Sequence, residues 1–307
     1  MDAIEKSLLN TVADLHDVPE GAYNIRENGK SVARNSSANI EIVTKTEEGK
    51  PGIDIIIKPY TKNESVHSPV ILSKSGLKET VYNDFYIGEG AEVFIVTGCG
   101  IHNCGVQNSE HSGVHTFHVG KNAKIKYVEK HYAQGEGTGE KIMNPITEIY
   151  IEEGGSMEME TTQIKGVDST HRKTVGRLSK NASLVVREKI YTHGNQSAIT
   201  DFLVDLDGEG AATDLVSRSV AAENSHQEFN AVINGNTKCT GHSECDAIVM
   251  DNATVTALPA LTATNVDAEL IHEAAIGKIA GEQLIKLMTL GLTEQEAEEQ
   301  IIQGFLK

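Results

Sequence analysis

The chain of 307 residues contains no tryptophan, and aromatic residues make up only 5% of it. Large enzyme cores lean on such side chains for bulk, so a narrow interior filled by small stacked aliphatic residues suits this composition better. Basic residues are also scarce: Lys and Arg number 27 against 44 Asp and Glu, a net charge of −17. That balance argues against nucleic acid as a partner, because phosphates require a cationic surface. No run of about 18 apolar residues occurs, so no membrane-spanning helix is expected. The start, MDAIEKSLLN, lacks a basic stretch followed by an apolar core, so no secretory signal is expected. With four cysteines and no such signal, the thiols are expected to be reduced in a cytoplasm. There is no G-x-x-x-x-G-K-[ST] phosphate loop and no G-x-S-x-G elbow, and carboxylate pairs are too common here to nominate a dyad. The expectation is a protein that is not an enzyme.

What is present is periodic. Residues 2–16 place Ile4, Leu8, Val12 and Leu15 on one side of a predicted helix that Pro19, Glu20 and Gly21 end. From about residue 38 the pattern changes to period-2 alternation in segments such as NIEIV, IDIIIK, VFIVT, IKYVEK, EIYIEE and SLVVRE. A motif recurs among them: IGEGAEVFI (87–95), VGKNAKIKY (119–127), IEEGGSMEM (151–159), LSKNASLVV (178–186) and VMDNATV (249–255). Its small residues Ala91, Ala123, Gly155 and Ala182 lie 32, 32 and 27 positions apart. Self-similarity at that period marks stacked coils, although Gly/Asn turns also punctuate the strands of an antiparallel sandwich. The last 36 residues, from His272, read as two amphipathic helices. Ile276, Ile279, Leu284, Leu287 and Met288 form the apolar stripe of the first, and Gly291 breaks it. Thr293 and Glu296 then make a T-x-x-E capping box, with Ala297, Ile301 and Ile302 lining the second helix.

PEGAYNIR (19–26), the repeated GA/NA strands, SHQEFNAVINGNTKCTGHSECDAIVMDNA (225–253) and above all HEAAIGKIAGEQLIKLMTLGLTEQEAEEQIIQGF resemble the SufB/SufD family of iron–sulfur cluster assembly proteins. Nearly the whole chain is covered. The resemblance implies an all-β core, a right-handed parallel β-helix, with a lead-in segment at 1–37, the core at 38–265 and a helical docking segment at 266–307. It implies a SufC-type ABC ATPase as partner, docked through Ile276, Ile279, Leu284 and Leu287. It further implies pairing with a second copy or a SufB/SufD paralogue, and a transient iron–sulfur cluster as cargo.

Three sets of residues offer ligands. Cys99 and Cys104, with His102, His111, His115, His118 and His131 nearby, give a dense thiol and imidazole segment that matches no standard zinc module. On strands His115 and His118 would face opposite sides, and the same cysteines could simply pack as small apolar residues. Cys239, His242 and Cys245 form the second set. Here the sequence departs from the resemblance: the position of a cluster-associated cysteine in SufB holds Ala253, and a methyl group cannot bind iron. His272–Glu273 is the third, matching a His-Glu pair near the family's partner interface, or simply marking a helix N-terminus. The function implied is a scaffold subunit for cluster assembly. A SufD-like structural subunit without its own cluster is a second possibility. A β-helix polysaccharide-active enzyme is a third, disfavoured by the scarcity of aromatic residues for stacking sugars.

Overall fold

A computed structural model describes residues 2–15 and 19–307. Strands of about ten residues bury every second side chain, as in Ser183–Thr192 and His226–Gly235, and each stacks in parallel on the strand one coil away. The result is a parallel β-helix of two ten-stranded sheets, with inward residues filling the space between them and outward residues facing solvent. The register gives the coil length directly. Val93, Ile125, Met157, Leu184, Thr213, Gly241 and Leu270 lie one above another. Their spacing begins with the 32, 32 and 27 residues of the small-residue motif.

The corners explain that motif. Gly90, Asn122, Gly154, Asn181 and Gly210 all have positive φ, a conformation open to glycine and tolerated by asparagine. A Cβ on Gly154 would come within 2.3 Å of the Asn122 Oδ1 below it. The next small residue turns inward, and the chain stacks through Lys124 N–H to Ala91 O at 2.8 Å and Ser156 N–H to Ala123 O at 2.8 Å. The fifth copy, at 249–255, sits at the opposite corner: Ala253 precedes the strand Thr254–Ala263 of the second sheet.

Helix α1 (Ala3–Ala13) carries a capping box between Asp2 and Glu5 and stops at Asp14, which is left-handed. Its stripe is Leu8, Leu9 and Val12, packed with Leu15 on Ile25, Ile71 and Val96, whereas Ile4 is exposed; the remainder of the expected helix, at His16, lies outside the described residues. The first sheet admits this helix because Gly98 has no side chain: a Cβ there would lie 2.4 Å from Val12 O. Two antiparallel hairpins, Ala22–Glu27 with Lys30–Asn35 and Ile40–Thr44 with Gly52–Ile57, close this end of the stack. Ala22–Glu27 pairs in parallel with Lys62–Leu72, so the β-helix starts inside the expected lead-in segment.

The other end differs from the expected helix starting at residue 272. Ala268–Gly277 is a strand, paired in register with Cys239–Val249, and His272, Glu273 and Ile276 lie on it. The helices follow as α2 (Gly281–Thr289) and α3 (Glu294–Phe305). Gly291 has φ +100°, and the Thr293–Glu296 box closes in both directions, at 2.8 Å and 3.3 Å. Leu306 and the Ile301, Ile302 and Phe305 side chains of α3 pack on Val220, Ile248, Tyr191 and Ile164, on the outer face of the first sheet. Among the described residues no hairpin covers Thr254–Ala263 or Ala268–Gly277, which are the last strands of their sheets.

Candidate functional site

Coil stacking places one interior column of polar groups through the molecule. Ser68, Thr97, Glu129, Thr161, Glu188, Ser217 and Cys245 occupy successive rungs of the first sheet, and all are buried. Arg172 enters from the second sheet. It donates to Glu129, lies 3.6 Å from Glu188 Oε1 and donates to His131 Nδ1 at 3.2 Å. Glu188 also accepts from Thr200 at 3.0 Å and Ser217 at 2.8 Å. The Tyr127 hydroxyl donates to Glu129 at 3.1 Å, so the His115 Nδ1 beside it at 2.9 Å must carry a hydrogen.

Burial pushes the Glu129 carboxyl up, but Arg172 and His131 outweigh it and hold the group well below the usual range. For Glu188 burial wins, and its carboxyl is raised. Burial lowers His115 from 6.5 to about 4, so the ring is neutral at pH 7. Below pH 6.5 the unfolded chain gains a proton there that the native state refuses until about pH 4. Stability should therefore fall across that window by on the order of 3 kcal/mol. Glu129 extends the loss below pH 4.5, while Glu188, raised above it, offsets part of the loss. Urea unfolding at pH 7, 5.5 and 4 measures this; a flat profile would refute the neutral, buried ring.

The expected ligand residues separate into three places. Cys99 lines an internal cavity of about 10 Å³, room for one water, with Thr97, His111, His115, Glu129 and His131. Burial, with Glu79 and Glu129, raises its thiol well above the usual value. Cys104 is exposed on the following loop, with Sγ 3.0 Å from His102 Nε2. His118 faces outward and stacks between Tyr86 and Tyr150, opposite in direction to His115. At the far end Cys239, Cys245 and His272 share the inner face of the final coils, where His272 Nδ1 lies 3.3 Å from Ser243 Oγ. Burial, Glu188 and Asp246 push the Cys245 thiol up to about 12, and burial raises Cys239.

Glu273 is not beside His272: strand alternation turns it to the outer face. There it meets two residues of the neighbouring strand, His242 and Glu244, whose ligand atoms all lie within 4.8 Å of one another and of its own. His242 Nδ1 is 2.8 Å from Asp214 Oδ1, and Arg187 donates to the other Asp214 oxygen at 2.5 Å. Sequence reading missed Glu129, Arg172, Glu188, Glu244 and Asp214. The available signal was the coil length, since adding 32, 27, 29 and 28 along the register leads from Glu129 through Thr161, Glu188 and Ser217 to Cys245.

A coil-stacked core ending in two helices, with thiols at both ends, agrees with what comparison finds. Residues 85–305 match the family described as SUF system FeS cluster assembly, SufBD core domain. The chain belongs to the SufBD family. An iron–sulfur cluster assembly SufBD family protein of Methanocaldococcus jannaschii is 28% identical over 267 residues, covering 85% of this chain and 83% of that protein. One of Archaeoglobus fulgidus is 30% identical over 250 residues, 81% of this chain and 66% of the relative. A third, of Methanothermobacter thermautotrophicus, is 29% identical over 242 residues, 77% of this chain and 57% of the relative. The chain thus spans most of one SufBD relative and less than two thirds of the other two. Membership ties it to iron–sulfur cluster assembly. No helix among the described residues is long and apolar enough to cross a membrane.

Proposed function

We propose that this SufBD chain is a scaffold subunit that links an ABC-type ATPase, bound at its C-terminal helices, to a second subunit stacked on its last coil. The observation that carries this reading is helix α2, which has no buried residue. Leu284 and Leu287 are half-buried, Ile279 packs with α3 on the β-helix, and Ile276 lies on the last strand. The exposed apolar side chains are instead Ile285 and Met288 of α2 and Leu290 at its C-cap, exposed by 63%, 42% and 76%. Three large apolar side chains held out on a short helix and its C-cap, beside a well-anchored helix, suit a partner surface better than a cap.

The uncovered last coil supports the second contact. Its inward residues Leu261 and Ile276 are 37% and 44% exposed, although the positions beneath them, Ile233 and Ala247, are buried. A solenoid end without a polar cap invites another coil, in a second copy or a paralogue. Nucleotide-driven movement of the ATPase would then act on the last coil through α2 and α3, favouring one of two subunit arrangements.

The test is co-elution with the cognate ATPase. Ile285→Asp with Leu290→Asp should weaken the association at least tenfold and leave the thermal midpoint unchanged, because neither side chain packs on the core. Unaltered co-elution would refute the docking surface. A second reading, a structural subunit that never holds a cluster, is favoured by Ala253 and by the raised pKa values of the three buried thiols.

A further inference from the structure

We propose that His242, Glu244 and Glu273 bind a single ferrous ion on the outer face of the final two coils, apart from the cysteines. Three observations converge on these residues. Asp214, fixed by Arg187, accepts the Nδ1 hydrogen of His242. The ring is therefore held in the tautomer whose Nε2 lone pair points at Glu273, with Oε2 3.9 Å away. A carboxylate behind a histidine is the usual support for a metal-ligating ring, since it sets orientation and raises basicity. Second, Glu244 and Glu273 sit directly opposite each other on adjacent strands, an arrangement of like charges that destabilises a sheet. A divalent cation between the two carboxylates removes that repulsion. Third, the ligand atoms are already within 4.8 Å. A tetrahedral ion with bonds of about 2.0–2.1 Å needs separations of roughly 3.3 Å, which small rotations of two surface glutamates supply.

One imidazole and two carboxylates suit borderline and hard first-row ions such as Fe²⁺, Mn²⁺ and Zn²⁺. Fe²⁺ as the occupant rests on the assembly function proposed above; the geometry of the site does not. Three protein ligands also leave open positions, so the ion could be handed on.

The test is anaerobic equilibrium dialysis of the whole chain against Fe²⁺ alone, without sulfide. One ion per chain is expected. His242→Ala and Glu273→Gln should each weaken binding at least tenfold, and Asp214→Asn by about 10–100-fold. All three positions are on the surface, so unchanged thermal melts verify the fold. A variant with Cys99, Cys104, Cys239 and Cys245 all changed to serine should bind Fe²⁺ as the parent does. The proposal is overturned if the parent retains no Fe²⁺, if His242→Ala binds normally, or if only the cysteine variant loses the ion. A chain that binds Fe²⁺ here but builds no cluster would count against the scaffold function and leave the site standing.

Discussion

Arg172→Met should destabilise the protein by about 3–5 kcal/mol, because removing one partner leaves a buried charge without compensation. The guanidinium is enclosed by Glu129, Glu188 and His131, and methionine fills similar volume, so packing alone would change little. The loss comes from Glu129, which Arg172 holds ionised against its burial. Thermal unfolding should show a fall on the order of 10 °C. Replacing both partners, Arg172→Met with Glu129→Gln, should recover most of that loss, since the acid of the cluster then left without a cation is Glu188, whose carboxyl burial already raises. A single variant as stable as the parent would show that the pair is not buried as described. The double variant also separates electrostatics from shape: if it is as unstable as Arg172→Met alone, the lost term is packing.

The same cluster shows where sequence reading stops. Glu129, Arg172 and Glu188 carry no local pattern, since each is one polar residue on an alternating strand. They meet only because coils of 32 and 27 residues stack in register. The small-residue spacing already contained those numbers, so the fold was legible and its interior column was one step further. The last strand was harder. HEAAIG is rich in helix-forming residues, yet it lies along the otherwise free edge of the eleven-residue strand Cys239–Val249, and the ladder it completes there outweighs intrinsic preference. That single difference sets the surroundings of His272 and Glu273: on the strand one faces Ser243 inside and the other His242 outside. The capping box and Gly291 were legible because both act within one turn of their own backbone.

The second large effect concerns cargo. Cys245 ends the polar column, shares the inner face of the open coils with His272 and Cys239, and is held as a thiol by burial, Glu188 and Asp246. A thiolate is what binds iron, so ligation requires that the last coil be exposed or that the metal displace the proton. Movement of α2 and α3 by the proposed ATPase partner would offer the first route, because α3 rests on Val220 and Ile248, outward residues of the strands that carry Ser217 and Cys245. Cluster formation should accordingly depend on both the ATPase and Cys245.

Anaerobic reconstitution of the chain with the proposed ATPase partner, ATP, Fe²⁺ and sulfide tests the proposed scaffold function most directly. The expected result is a brown complex containing bound iron and sulfide, much weaker without ATP and absent in Cys245→Ser. A colourless complex, formed with its ATPase yet free of sulfide, would contradict the scaffold and leave a structural subunit in its place.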